Sequence, residues 1–378
     1  MRKTFFLFVL ILLAIPTKVN ALSANHAVLI EVTSGKVLLE KNAYKRAAMA
    51  STTKIMTGWL ALELGNPTDI VTVSANAANT EGSSMWLAEG EKIPLIDLIY
   101  GLMLNSGNDA ATAIAEHIAG NTEEFAKLMT QRATDTGLKN TNFTNPHGLA
   151  NDSHYTTAYD LAMITREALK NSEFAEIVAT KTKIVSWEGH DYGRTLQNHN
   201  KMLVLYEGAD GIKTGFTKAS GRCLVSSATR NGMQLIAVTL NAPSDWNDHA
   251  TMLDFGFANY SYKKILSTSD IIKTVPVENS AITYLPTVTS EDIYLLLPNK
   301  DSQNIKIQYN LPDSVSAPIL QKQTLGELTI TLNGAIVTHV PLISNNDVPE
   351  NINLQNNYNN KKLFKNIQII SWDLLDVI

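Results

Sequence analysis

Ser51 and Lys54 are the first residues of this 378-residue chain whose types and spacing could do chemistry. They open a helical pattern three residues apart, so their side chains share one helix face with Cβ atoms about 5–6 Å apart. A serine hydroxyl becomes a nucleophile when a base takes its proton, and a neutral lysine amine is such a base. Burial and a second cation would lower the pKa of Lys54 in that direction. The pair therefore predicts nucleophilic catalysis, with a helix N-cap as the alternative role of Ser51.

Two further motifs offer polar groups suited to a peptide substrate. Ser106-Gly107-Asn108 lies between two helical stretches, where a hydroxyl beside an amide relays a proton or, alternatively, only caps the next helix. Lys213-Thr214-Gly215 lies in a strand-like segment bounded by glycines. Gly215 lets an extended substrate pair with the strand, while Lys213 supplies positive charge and Thr214 a hydroxyl for a carboxylate.

The order of the three motifs decides between the catalytic and the structural interpretations. S-x-x-K, S-x-N and K-T-G follow one another on a helix, an inter-helix loop and a strand, once each in the right context. Such a trio is improbable by chance and is typical of enzymes that form an acyl-serine intermediate.

The elements that must position these motifs predict an α+β fold. A strand–turn–strand pattern surrounds Thr33-Ser34-Gly35, residues 51–169 are mainly helical, and a hairpin is centred on Asn231-Gly232. We therefore expect an antiparallel sheet with a helical insertion over residues 22–267. Short β-rich runs with turn dipeptides between them predict a small all-β sandwich domain over residues 268–345.

Both ends of the chain have the composition of targeting segments. Residues 1–21 combine a basic start, a short apolar run and small residues, which predicts a signal peptide, with an uncleaved anchor as the alternative. Residues 346–360 are an Asn-rich linker. Residues 361–378 carry an apolar helical stripe with lysines at its start, which predicts an amphipathic helix at a membrane surface. The alternative is a helix docked on its own protein.

Composition narrows the class of protein. A formal net charge of −5 and 18% charged residues indicate an ordinary globular protein with no footprint for nucleic acid. The one cysteine, Cys223, forms no internal disulfide and is expected to be a small buried apolar residue. No H-E-x-x-H pair occurs, and we expect no metal or cofactor. No G-x-S-x-G elbow occurs either, so we interpret His147 as a turn histidine and not as part of a Ser-His-Asp triad.

In these residues and motifs the chain resembles the low-molecular-mass penicillin-binding proteins of peptidase family S11, the D-alanyl-D-alanine carboxypeptidases. The likeness is closest to the branch in Gram-positive spore-formers. It implies a β-lactamase/transpeptidase-like catalytic domain, a β-domain behind it and a C-terminal membrane anchor. It also implies an exported enzyme, peripherally attached to the outer face of the cell membrane, that removes the terminal D-Ala from peptidoglycan stem peptides and is acylated by β-lactams. Four segments carry the likeness: residues 50–57, 106–109, 145–148 and 210–215, with further support from residues 81–84 and 245–249.

The resemblance also assigns catalytic roles. It implies that Ser51 is the nucleophile and Lys54 its general base. Ser106 would relay the proton, and Asn108 would hold the substrate amide. The backbone N–H groups of Ser51 and Phe216 would form the oxyanion hole.

Substrate binding is assigned in the same way to the third motif. Lys213 and Thr214 would bind the terminal carboxylate, with Gly215 beside them. Several relatives have an arginine near residues 245–249 for this purpose, and this chain has none after Arg230. Arg222 and His249 are the two alternatives for that missing cation.

Three other functions compete with the carboxypeptidase. A class A β-lactamase would need a glutamate in an E-x-x-L-N segment, and the corresponding region around Tyr159-Asp160-Leu161-Ala162 lacks it. A non-catalytic β-lactam sensor or wall-binding module would be acylated without releasing D-Ala. An endopeptidase would cut D-Ala cross-links instead of trimming them.

Overall fold

The structure is a computed structural model that describes residues 22–299 and 304–351. The described chain divides into two compact units, with the boundary along the sequence between Tyr260 and Ser261. The signal peptide and the C-terminal helix predicted above, and most of the linker, lie outside the described residues. Within the described ranges, no helix has the length and apolar character needed to cross a membrane.

The first unit alternates strands and helices in the predicted order. In chain order its elements are β1 (His26–Glu31), β2 (Val37–Lys41), a 3₁₀ turn (Ala50–Thr53), α1 (Lys54–Leu64), β3 (Ile70–Thr72), α2 (Ala75–Ala78), β4 (Lys92–Pro94), α3 (Leu95–Leu104), α4 (Asn108–Ala119), α5 (Thr122–Asp135), α6 (Ala158–Ala168), α7 (Ser172–Ala179), β5 (Thr182–Val185), β6 (Arg194–Gln197), α8 (Met202–Leu205), β7 (Ala209–Thr217), β8 (Gly221–Arg230), β9 (Met233–Leu240) and α9 (Asp245–Asn259). The expected α+β fold, with its helical insertion, is confirmed.

A five-stranded antiparallel sheet organises this unit. Its order is β2-β1-β9-β8-β7, so β7 forms one edge. The predicted hairpin joins β8 to β9 through Asn231 and Gly232, whose φ angles of 51° and 78° suit the tight turn favoured between twisted strands. The third motif therefore lies on an edge strand of the sheet, where an added strand can pair.

Alternation along the strands buries both faces of the sheet. Ile236 and Val238 of β9 belong to the core shared with the inserted helices. Leu235 lies against Gly256 of α9, and Thr239 bonds to His249 of the same helix. Because successive strand residues point to opposite faces, this pattern places α9 on one side and the helical insertion on the other.

The second unit is all-β. Its strands are β10 (Tyr260–Leu266), which runs across the boundary, β11 (Lys273–Glu278), β12 (Tyr284–Thr289), β13 (Ile293–Pro298), β14 (Ile305–Asn310), β15 (Val315–Ser316), β16 (Thr324–Leu332) and β17 (Ala335–Ser344). Six of them form a sheet in the order β14-β16-β17-β12-β11-β15, and β10 pairs with β13. Alternate residues of β13 pack against alternate residues of β16 and β17, which is the two-layer packing expected of a sandwich.

Candidate active site

The amine of Lys54 lies at the centre of the three motifs. Lys54 begins α1, and its side chain is fully buried. Its Nζ lies 2.6 Å from Asn108 Oδ1, 2.7 Å from the carbonyl oxygen of His147 and 3.2 Å from Ser51 Oγ. The first two partners are acceptors only, whereas a hydroxyl can also donate. Helix α1, the start of α4 and the loop after α5 therefore converge on one nitrogen.

Burial lowers the pKa of Lys54 well below its ordinary value. The positive charge of Lys213 lowers this pKa further, and the carboxylate of Asp109 opposes the shift. A neutral amine has two N–H groups and one lone pair. When the N–H groups are donated to Asn108 and His147, the lone pair remains for the Ser51 hydroxyl. This is the geometry of a general base that accepts the proton of the Ser51 hydroxyl.

The backbone around Ser51 is held in place by its neighbours. Ser51 lies in the 3₁₀ turn, next to Ala50 at a left-handed φ of 47°. A Cβ on Gly148 would come within 2.0 Å of the Ala50 carbonyl oxygen, and a Cβ on Gly215 within 2.9 Å of the Ser51 nitrogen. Both positions need glycine because two other backbone segments press against the serine turn. The turn has no side-chain cap from Ser51.

The second motif forms the turn between α3 and α4, as predicted. Ser106 is buried and has a left-handed φ of 62°. Asn108 begins α4, and its amide nitrogen donates to the carbonyl oxygen of Glu81 at 2.6 Å. The Lys54 contact thereby fixes the Asn108 oxygen, and the Glu81 contact fixes its nitrogen.

The third motif lies on β7, as predicted. Lys213 is buried, and its Nζ donates to the Thr214 carbonyl oxygen at 3.0 Å. Burial lowers the pKa of Lys213 to about 7. Thr214 is half-buried, and the Phe216 side chain is 64% exposed. The strand thus carries a buried amine at Lys213, near Lys54, and an exposed side chain at Phe216.

The structure separates the two alternatives for the missing arginine. His249 is fully buried between the hydroxyls of Ser226 and Thr239, at 2.5 and 3.0 Å, and burial lowers its pKa to about 3. It is neither accessible nor charged at neutral pH. Arg222 lies directly across from Phe216 on β8 and is part-exposed, although its guanidinium already pairs with Asp245 at 2.8 Å.

The interpretations of His147 and Cys223 agree with their surroundings. His147 Nδ1 accepts the backbone N–H of Leu149 at 3.2 Å, as a turn histidine does. Burial and the charge of Lys54 lower the pKa of His147 to about 3. Cys223 is fully buried and unpaired. Within the described part of the chain, no group of three or more metal-ligating side chains occurs.

Reasoning from the sequence missed several residues of the site. The His147 carbonyl and the Glu81 carbonyl act through main-chain atoms, which residue types do not reveal. Asp109 accepts the backbone N–H groups of Met85 and Leu87, both at 3.1 Å, and so ties the 81–87 loop to α4. The only available signal was that these residues fall in segments shared with the family.

The fold is that of the penicillin-binding proteins. Penicillin-binding protein 5 from Haemophilus influenzae superposes with a TM-score of 0.70 at 31% identity, covering 89% of this chain and all of that one. Penicillin-binding protein 6B from Escherichia coli gives a TM-score of 0.67 at 29% identity, covering 87% and 97%.

The chain belongs to peptidase family S11. The family model described as D-alanyl-D-alanine carboxypeptidase matches residues 14–244, and that of the penicillin-binding protein 5 C-terminal domain matches residues 260–350. The D-alanyl-D-alanine carboxypeptidase DacF of Bacillus subtilis is 36% identical over 334 residues, 86% of each chain. The enzyme DacA of Escherichia coli is 32% identical, over 88% of this chain and 85% of that one. The family expected from the motifs is confirmed.

Proposed function

We propose that this protein is a serine-type carboxypeptidase that removes the terminal D-Ala from peptidoglycan stem peptides. The observation that carries the proposal is the Lys54 amine, buried, with two acceptors that use its N–H groups and the Ser51 hydroxyl 3.2 Å away. Relatives named as D-alanyl-D-alanine carboxypeptidases match most of the chain, and this supports the choice of substrate.

Acylation begins when Ser51 Oγ attacks the carbonyl carbon between the two D-Ala residues. The hydroxyl proton passes to Lys54, and the developing oxyanion is bound by the backbone N–H groups of Ser51 and Phe216. When the C–N bond breaks, the proton passes from Lys54 through the Ser106 hydroxyl to the leaving amine of D-Ala. Water then hydrolyses the serine ester, with Lys54 again as the base.

Substrate binding uses the edge strand and its cations. The stem peptide pairs with β7 alongside Gly215, and Asn108 holds its amide. Lys213 and Thr214 bind the terminal carboxylate, and Arg222 supplies the second positive charge. His249 is left out of this role because it is buried and neutral.

Release of D-Ala from a diacylated Lys-D-Ala-D-Ala tripeptide tests the proposal. Wild type should release D-Ala and be labelled by a fluorescent penicillin, whereas Ser51→Ala should lose both activities. Ser153→Ala, an exposed serine in the loop before α6, is the matched control and should keep both. A protein labelled on Ser51 that releases no D-Ala would be a sensor, and rapid turnover of penicillin would indicate a β-lactamase. Either result contradicts the carboxypeptidase.

We further propose export through residues 1–21 and attachment to the membrane surface through residues 361–378. The support comes from the composition of those segments. Deleting residues 361–378 should move the protein to the soluble fraction and leave D-Ala release intact. Continued sedimentation with membranes would contradict the anchor.

A further inference from the structure

A cluster of aromatic side chains lies outside the Ser51 site, at the tip of the β5–β6 hairpin. The ring centres of Trp187 and His190 are 4.2 Å apart, those of His190 and Tyr192 are 5.2 Å apart, and those of Trp187 and Tyr192 are 5.8 Å apart. The Tyr192 side chain is 64% exposed. These rings line a groove of about 440 Å³, together with the polar residues Lys92, Glu188 and Asp191.

The cluster rests on a buried ion pair. The Arg194 guanidinium lies 4.8 Å from the centre of the Trp187 ring. Both of its terminal nitrogens bond to the Glu91 carboxylate at 3.0–3.1 Å, and both side chains are buried. A planar cation held at two points gives Trp187 a fixed support, so the groove has a rigid floor.

The same arginine connects the groove to Trp86. Arg194 donates to the Trp86 carbonyl oxygen at 3.1 Å. Trp86 is 76% exposed and has a left-handed φ of 64°, a strained conformation for a bulky residue. The conformation persists because the N–H groups on either side of it, from Met85 and Leu87, are both bound by Asp109. An exposed tryptophan is thus held in a strained conformation on the loop that also contacts Asn108.

Exposed aromatic rings beside carboxylate, amine and imidazole groups match the chemistry of a sugar. A pyranose ring has an apolar C–H face that stacks on an indole or phenol ring, and its rim of hydroxyl and acetamido groups needs polar partners. In the proposed substrate, the stem peptide is joined to a strand of amino sugars. An extended peptide of five residues spans about 17 Å, so the sugars lie outside the Ser51 site but near it.

We propose that this groove, together with the exposed Trp86 on the loop that Arg194 ties to it, binds the amino-sugar strand of peptidoglycan to which the stem peptide is attached. The protein then acts on the wall polymer in preference to free peptide. This inference rests on the proposed function, which supplies the substrate.

Binding is tested in Ser51→Ala protein, so that the result does not depend on catalysis. The probe is the β-1,4-linked tetramer of N-acetylglucosamine, and calorimetry measures its affinity. Co-sedimentation with purified cell-wall sacculi is the second measurement. Trp86→Asn with Tyr192→Ala should weaken both by about tenfold, because the stacking faces are lost while asparagine tolerates the left-handed φ. Ile184→Ala, an exposed apolar residue of β5, is the matched control and should bind as the parent does.

Catalysis provides the second arm. The kcat/KM ratio of glycan-linked to free pentapeptide should exceed one in otherwise wild-type enzyme and fall about tenfold in the double variant. The inference would be overturned if the double variant left this kcat/KM ratio unchanged. It would also be overturned if the tetramer bound neither to Ser51→Ala protein nor to that protein with the two aromatic substitutions. If no peptide released D-Ala, the proposed function would fail, while the binding measurement would still report on the groove.

Discussion

Asn108 Oδ1 lies 2.6 Å from Lys54 Nζ, closer than the serine hydroxyl that the amine is proposed to deprotonate. A neutral amide accepts an N–H from the amine without a charge to stabilise an ammonium ion. The identity of this one residue therefore helps to decide the protonation state of the base.

Replacing Asn108 by aspartate should move the pH profile of acylation. A carboxylate at this distance would favour the protonated form of Lys54 and raise its pKa. Because only the neutral amine accepts the Ser51 proton, the acid limb of penicillin acylation should shift to higher pH. The exposed Asn140→Asp is the control and should keep the parental profile. A lower plateau without a shifted limb would count against this role of Asn108.

Lys213 is expected to cost stability. Burial lowers its pKa from 10.5 to about 7, which corresponds to a penalty of about 4 kcal/mol at pH 7. Lys213→Met should raise the free energy of unfolding by about 2–4 kcal/mol and weaken acylation. The exposed Lys218→Met should change stability by less than about 0.5 kcal/mol.

The same shift sets the sign of a pH dependence. Between pH 7 and 10.5 the unfolded chain holds a proton on residue 213 that the folded protein has lost, so this residue makes the wild type more stable as pH rises. Its stability difference from Lys213→Met should therefore shrink over that range in urea titrations. A constant difference would mean that Lys213 does not titrate as described.

Gly215→Ala should disable the site without unfolding the protein. The new Cβ would lie 2.9 Å from the Ser51 nitrogen and 3.1 Å from the Thr52 nitrogen, so the strand or the serine turn must shift. A displacement of this kind costs about 10²-fold in rate when it misplaces a nucleophile. Stopped-flow acylation by penicillin measures the loss, and thermal unfolding checks the fold. Acylation at the parental rate would show that the close approach is not needed.

The buried pair of Glu91 and Arg194 should be essential to stability. Glu91→Gln leaves the Arg194 charge uncompensated, which we expect to lower the free energy of unfolding by about 3–5 kcal/mol. The exposed pair of Lys127 and Glu124 gives the control, since Glu124→Gln should change the free energy of unfolding by less than about 1 kcal/mol. Equal effects of the two substitutions in urea unfolding would contradict the importance of burial.

Cys223 should be inert in the native protein. It is fully buried, and burial raises the pKa of its thiol to about 11. The thiolate that reacts with alkylating agents is therefore scarce and inaccessible. Iodoacetamide should label the protein only after denaturation, as measured by mass spectrometry, and Cys223→Ser should retain penicillin acylation. Rapid labelling of the native protein would show that the β8 core opens.

The sequence alone determined the local elements and the spacing of the motifs. Ser51 and Lys54 share a helix face because three residues make nearly one helical turn. The Asn231-Gly232 turn follows from the positive φ angles that those two residue types tolerate. Alternation and helical periodicity depend on neighbouring residues, which is why the α+β order and the all-β second unit could be predicted.

Tertiary packing decided how those motifs meet. The acceptors that surround the Lys54 amine come from residues 54 and 93 positions away, and the second is a main-chain carbonyl that no side-chain pattern announces. Whether His249 or Arg222 was accessible depended on the face that α9 covers. Burial and through-space charge are properties of the folded protein, so they set the pKa of Lys54 and of Lys213 only once the chain had brought these groups together.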